Sequence, residues 1–217
     1  MRGSDKGPEP AELRGWKAAQ RAAGVEPVYD DFRHPEKGAT MSALFAEQTG
    51  QCVYCGRGIS LAPRHCHIEH FRPRSGYPRL QLDHANLFLS CGPEGERGPR
   101  QTCGNRKDDW FDEDCHIPPA PDSCAERFRF RSSGAIVGDG TPEADRMMEV
   151  LNLNHPELSA ERRDLIDDLE RELAHGTSPA RLRYGYLEEN PDGARPGFAN
   201  VALGYLRGQA NAAGPPG

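Results

Sequence analysis

Hydrophobic and polar positions along the chain predict short elements separated by long polar stretches. Apolar residues fall at helical spacing over Ala11–Ala23, with Trp16 on the apolar side, and over Thr40–Gln48, where Thr40 is placed to cap. Between them, Pro27–Arg33 reads as a loop. His67–Pro73 reads as a short strand that stops at the proline, and Ile117–Cys124 as a proline-rich linker. Phe128 and Phe130, then Ala135, Ile136 and Val137, alternate around a Ser-Ser-Gly turn and predict a hairpin. Helices are expected over Pro142–Asn152 and Ser159–His175, the second with Leu165, Ile166, Leu169 and Leu173 at helical spacing. A short helix near Asn200–Leu206 and a disordered small-residue tail over 208–217 complete the pattern, with no internal repeat. The expected organisation is an N-terminal helical extension (1–50), a cysteine and histidine core (51–116), a C-terminal hairpin and helices (117–207) and the tail.

Composition makes the core look thin. Apolar residues are 36% of the 217, against about 45–50% in typical domains, and there are 24 glycines and 19 prolines. A stabiliser other than burial is therefore expected. No apolar run approaches the roughly 18 residues of a membrane span, and the start, MRGSDKGPEPAEL, lacks the apolar stretch of a signal peptide. A cytoplasmic, non-membrane protein is the expectation.

Seven cysteines in such a protein point to metal or reactive thiols before disulfides. Cys52-Val-Tyr-Cys55 is a C-x2-C knuckle followed by Gly56, and Cys91 and Cys103 lie downstream. Four thiolates form the standard structural zinc site. The second pair is spaced C-x11-C, so the insert GPEGERGPRQT must loop out to leave its cysteines adjacent. Zinc would offset the thin core, since metal binding can contribute ~10 kcal/mol or more to folding. Cys66, Cys115 and Cys124 remain, as core thiols or, for Cys115-His116 with Cys124, as a second metal site.

Between the knuckles lies His67-Ile-Glu69-His70-Phe-Arg72-Pro-Arg74. A carboxylate suits a hard divalent cation, and an imidazole of ordinary pKa, about 6.5, can take a proton from water. Phosphodiester hydrolysis needs both. Adjacent side chains on a strand point to opposite faces, so Glu69 and His70 can serve one site only where the strand ends and twists. His67-x2-His70 could instead complete the zinc site, or both histidines could be structural. Downstream, Cys103-Gly-Asn105-Arg106-Lys107-Asp108-Asp109 predicts a helix opening after a knuckle, with Asn105 sharing a face with Asp108 and Asp109. Arg106 and Lys107 near its start suit a phosphate.

Net charge, −6, argues against a nucleic-acid partner until its distribution is considered. Cys52–Lys107 holds nine basic residues, Arg100 among them, against four acidic ones, a net +5 that leaves −11 elsewhere. Local positive charge attracts phosphates, although arginine-rich loops are also simply well solvated.

The order C-x2-C, Glu-His-x2-Pro, Asn-Leu-x3-Cys and Cys-x3-Lys resembles the HNH endonuclease motif. The stretches CVYC, HIEHFRPRSGYP, LDHANLFLSC and CGNRK are similar to the HNH nuclease subunit of Septu and retron-associated anti-phage systems, the PtuB-like family. GPEPAELRGW and LNLNHPELSAERR support it, so the likeness covers roughly residues 7–170. It implies an α+β fold with a ββα-metal (HNH, treble-clef-like) core and structural zinc, flanked by N- and C-terminal helices. It implies His70 as general base, Glu69 as a ligand of a catalytic Mg²⁺ or Mn²⁺, and Asn86 as the residue that holds the connecting loop and the base. Cys52, Cys55, Cys91 and Cys103 would bind zinc, and Arg72, Arg74, Arg106 and Lys107 would hold phosphates.

The sequence departs from the general pattern at Gly104, where a His or Asn usually follows the last cysteine. Asn105 is the nearest substitute as metal ligand and catalytic residue, with Asp108 or Asp109 as alternatives. DNA is the expected substrate before RNA, though the motif's chemistry addresses the phosphodiester of either, and the resemblance implies pairing with an ABC/SMC-type ATPase subunit. ATP-driven control cannot reside in this sequence, which lacks G-x4-G-K-[ST]. The predicted helix Ser159–His175 either docks such a partner or packs on its own domain. A non-catalytic zinc module binding nucleic acid or protein, and an RNase acting on tRNA, are the competing functions.

Overall fold

The computed structural model describes residues 1–98, 101–125 and 127–212. It is a mixed α+β arrangement of eight helices and two small antiparallel sheets among those residues. In chain order the elements are α1 (Ala11–Ala22), α2 (Glu36–Glu47), β1 (Cys66–His70), β2 (Leu87–Cys91), α3 (Cys103–Lys107), α4 (Pro121–Ala125), β3 (Phe128–Phe130), β4 (Ile136–Gly138), α5 (Pro142–Val150), α6 (Pro156–Ala174), α7 (Pro179–Leu187) and α8 (Ala199–Ala212).

Prolines set several of these boundaries. Helices α5, α6 and α7 each begin on a proline, which has no N–H to leave unpaired in the first turn. Thr141, His155 and Ser178 cap them by accepting a backbone N–H. Helix α6 therefore starts three residues before Ser159. Likewise α2 starts behind Pro35, and Thr40, expected as a cap, lies inside the helix and is buried. The stretch 117–124 is more than a linker, because it carries the short α4 and buries Ile117 and Cys124. Residues 176–207 hold α7 as well as the start of α8. Helix α8 runs to Ala212 through part of the expected disordered tail, of which residues 213–217 lie outside the described residues, as does Arg100.

Strands β1 and β2 pair antiparallel, Cys66 opposite Cys91 and His70 opposite Leu87. The cysteine knuckle sits behind this sheet, where the Val53 N–H donates to the Leu89 carbonyl at 3.1 Å. The Gln48 side chain, at the end of α2, clamps both. Its amide nitrogen donates to the Gln51 and Leu89 carbonyls, and its oxygen accepts from the Leu89 N–H at 2.6 Å. On the other side, α8 docks on the knuckle through the Phe198 N–H and the Gly56 carbonyl, 2.6 Å apart. Gly56 is left-handed (φ 82°), and a Cβ there would strike Asn200.

One cluster of buried residues contains Leu13 and Leu44 from the first segment, the knuckle and both β1 and β2, and Met147, Ile166 and Val201 from the last. The apolar face of α6 (Leu158, Ile166, Leu169) is buried against the chain's own elements, so the docking alternative for that face gives way to self-packing. No helix among the described residues is long and apolar enough to cross a membrane.

Candidate active site and metal centre

Cys52, Cys55, Cys91 and Cys103 converge, all buried, with their sulfurs within 4.8 Å of one another. Tetrahedral zinc with Zn–S bonds near ~2.3 Å has S···S edges of about 3.8 Å, and Cys55 Sγ to Cys91 Sγ is 3.8 Å. That spacing, with all four thiols free of disulfides, fits zinc. The knuckle turn adds a backbone donor, Arg57 N–H to Cys55 Sγ at 3.4 Å. The C-x11-C pair closes, and residues 92–98 and 101–102 between its cysteines form neither helix nor strand, as their composition requires. Hydrogen bonding within the cluster, first from Cys52 and then from Cys55 and Cys91, together with burial, raises the Cys103 thiol well above its ordinary pKa. Four thiolates crowded together need a cation to coexist.

No second group of three or more clustered ligands forms among the described residues, and Cys115, His116 and Cys124 do not gather into one. The Cys124 thiol turns to the Pro118 carbonyl, the Cys66 thiol to that of Ser60, and the His116 ring to that of Asp112. Neither His67 nor His70 joins the cysteines.

In front of the sheet lies a cleft of about 140 Å³. His67, Glu69 and His70 from β1, Gly104 and Asn105 from α3, and Asp108 and Asp109 line it, with the 94–97 loop and Arg74 at its rim. The position of His70 at the end of β1 lets it share this cleft with Glu69 despite the strand alternation.

The His70 ring makes one hydrogen bond, Nε2 to the Gln81 carbonyl at 3.0 Å. A carbonyl only accepts, so Nε2 carries the hydrogen and Nδ1 keeps its lone pair. Tyr29 packs edge-on against the ring, centroids 4.5 Å apart. Burial lowers the His70 pKa to about 4, against the opposing pull of the Gln81 carbonyl and Glu69, so the ring is neutral at pH 7.

Asn86, in the turn immediately before β2, ties down the loop after β1. Its Oδ1 accepts from the Arg72 N–H at 2.7 Å, and its Nδ2 donates to the carbonyls of Arg72 (2.9 Å) and Leu80 (3.2 Å). The Gln81 carbonyl that orients His70 follows directly after Leu80, so Asn86 positions the His70 ring through the backbone.

Glu69 is buried, and its hydrogen bonds converge on Oε1, from the Tyr54 hydroxyl and the Lys107 ammonium, each at 2.9 Å. Burial alone would raise its pKa, but Lys107 and then His67 outweigh it and hold the carboxyl at about 2. Oε2 faces His67 Nε2 at 3.8 Å. The His67 Nδ1–H donates to the Gly92 carbonyl at 2.9 Å.

Three expectations change here. Lys107 is not a phosphate ligand. Its side chain is 1% exposed and spent on Glu69 and the His70 carbonyl (3.0 Å). Helix α3 ends at Lys107, and Asp108 turns out with φ 49°, so Asn105 and the two aspartates do not share one helical face. Asn105 lines the cleft, but its Nδ2 donates to the Pro93 carbonyl at 3.0 Å and holds the loop. Arg72 and Arg74 are on the surface and paired with exposed acids, Glu113 at 3.4 Å and Asp30 at 2.6 Å, while Arg106 is exposed on α3. Arg72 also stacks over Phe111 and Tyr77.

His67 is the site residue that the sequence reading left without a firm role. Its signal was the strand period itself, because positions 67 and 69 must share a face. No protein-family model matches the chain, and no curated protein matches it.

Proposed function

We propose that this chain is a metal-dependent HNH endonuclease, hydrolysing nucleic-acid phosphodiester bonds with His70 as general base. One observation carries the reading. The carbonyl of Gln81 fixes the His70 tautomer and leaves Nδ1 as the ring's acceptor, in the cleft that also holds Glu69. The β1–β2–α3 order, with Glu69-His70, Asn86 and the four cysteines at their places along it, supports an HNH ββα-metal core around structural zinc.

In this reading His70 Nδ1 takes the proton of the attacking water, neutral and ready at pH 7. Asn86 and Gln81 keep the ring from turning. Glu69 holds the catalytic cation, Mg²⁺ or Mn²⁺, which when bound offsets charge on the scissile phosphate and the leaving oxygen. Arg72, Arg74 and Arg106 hold flanking phosphates. The first two exchange exposed carboxylate partners for phosphate, a small loss because exposed ion pairs are weak. Asn105 supports the cleft by holding the 92–96 loop.

The resemblance to the PtuB-like subunits makes DNA the first substrate to test, an anti-phage effector the proposed setting and an ABC/SMC-type ATPase the proposed partner. One observation favours the competing reading, a non-catalytic zinc module: an ammonium already satisfies Glu69 Oε1. Plasmid, single-stranded DNA and tRNA digested side by side with Mg²⁺ or Mn²⁺ decide the matter. Cleavage of any of them by wild type, abolished by EDTA and by His70→Ala, is expected. Equal binding by both proteins with no cleavage by wild type identifies a binding module.

A further inference from the structure

A conventional HNH site takes one cation ligand from the helix, and here that position is Gly104. The structure gives the glycine a reason. A Cβ built on it would overlap Glu69 Oε2 and lie 2.8 Å from His67 Nε2. The space a helix side chain would occupy is filled from the strand, by two residues of one face.

We propose that His67 Nε2 and Glu69 Oε2 together hold the divalent cation, making a nitrogen-and-oxygen site that prefers a first-row transition ion such as Mn²⁺ over Mg²⁺. The inference rests on the nuclease reading for its purpose, and on the following geometry for its place.

Both atoms are left available by their neighbours. The bonds to Glu69 fall on Oε1, so Oε2 is the oxygen turned to His67. The Nδ1–H of His67 is committed to the Gly92 carbonyl, which orients the ring and leaves Nε2 as the lone-pair nitrogen of the neutral form. The two atoms stand 3.8 Å apart, too far for a hydrogen bond. Two metal–ligand bonds of about 2.1 Å sum to more than that gap, so one ion reaches both.

The surroundings favour a cation. Glu94, Glu96, Asp108 and Asp109 line the cleft against Arg74 and Arg97, so its charge is negative although the surrounding segment is basic. An imidazole in the set selects against Mg²⁺, which demands hard oxygen ligands and gives up water reluctantly. Ions of the transition series accept nitrogen and oxygen together.

The test is Mn²⁺ binding followed by electron paramagnetic resonance on the zinc-loaded full chain, with Mg²⁺ as competitor. Wild type should bind Mn²⁺ at least tenfold more tightly than Mg²⁺. His67→Ala should weaken Mn²⁺ at least tenfold and narrow the difference between the two ions, with zinc content and thermal melting showing that it folds. His67→Gln, whose Oε1 comes nearest to the reach of the lost Nε2, should recover part of the loss. Unchanged Mn²⁺ affinity in folded His67→Ala, or equal competition by Mg²⁺ in wild type, overturns the inference even if the protein cleaves DNA. Mn²⁺ binding lost with His67 in a protein that cleaves nothing leaves the inference standing and removes the nuclease reading.

Discussion

The hydroxyl of Tyr54 donates to Glu69 Oε1 at 2.9 Å, so the cysteine knuckle and the acid of the cleft are joined by one side chain. Tyr54 is the residue immediately before the zinc-ligand candidate Cys55, inside the C-x2-C turn, and it is fully buried. Its ring belongs to the core and its hydroxyl to the site. A knuckle that merely stapled the chain would not need that hydroxyl. Tyr54→Phe should keep its zinc and lose about 1–3 kcal/mol of stability in denaturant unfolding, at the low end because Lys107 still satisfies the same oxygen. Unchanged stability would show that the bond contributes nothing.

The zinc itself should be structural. Cys52→Ser removes one of four converging sulfurs and should lose both metal and cooperative unfolding, since structural zinc contributes ~10 kcal/mol or more in small metal-dependent folds. Wild type should carry no less than one zinc per chain by elemental analysis. A folded preparation with clearly less than that would remove the zinc assignment.

Gly104 provides a test in which two effects have opposite signs. In a helix, Ala is ordinarily better than Gly by about 1 kcal/mol. Here the added methyl meets Glu69 and His67 in a packed interior, which should cost about 1–3 kcal/mol and displace both side chains. Gly104→Ala should therefore lower the melting temperature and weaken Mn²⁺ binding. A more stable protein would mean that the cleft has room for the methyl.

Acid should act on stability and activity in ways that the pKa directions fix. Glu69 sits near about 2 in the fold against an ordinary 4.5, so its contribution is present above the ordinary value and lost as pH falls toward 2. His70, near about 4 against 6.5, resists a proton that the unfolded chain accepts, so stability also falls between 6.5 and 4. His67 is shifted upward and acts in the opposite sense, its contribution fully present below 6.5 and lost as pH rises through its folded value. For activity, kcat at saturating Mn²⁺, where the cation keeps His67 Nε2 free of a proton, should stay level from pH 8 to 6, because His70 remains neutral. A base of ordinary pKa would keep roughly a quarter of its neutral form at pH 6, and an acid limb there would contradict the burial of His70.

Much of this arrangement was legible in the sequence where covalent spacing constrains it. The C-x2-C turn, the loop-forming insert between Cys91 and Cys103, and the Glu-His pair stopped by Pro73 each have few ways to fold, and the four cysteines converge as expected. Helix starts were less legible where a proline competed with a capping Thr or Ser, as at Pro35 and Pro156. What spacing could not show was which charged side chains turn inward. Lys107 reads as a surface cation in CGNRK, yet a helix of one turn aims it at Glu69 behind the cleft. Gly104 reads as a missing ligand in the sequence, and that a side chain there would meet Glu69 and His67 is visible only once those two are seen across from it.

The most direct measurement of the central claim is single-turnover cleavage by wild type and His70→Ala at pH 7 with Mn²⁺, each first shown to bind zinc and Mn²⁺ alike. A general base contributes typically ~10²–10⁴-fold, so His70→Ala should cleave slower by that factor with metal binding and melting unchanged. Cleavage by His70→Ala at the wild-type rate would contradict the account.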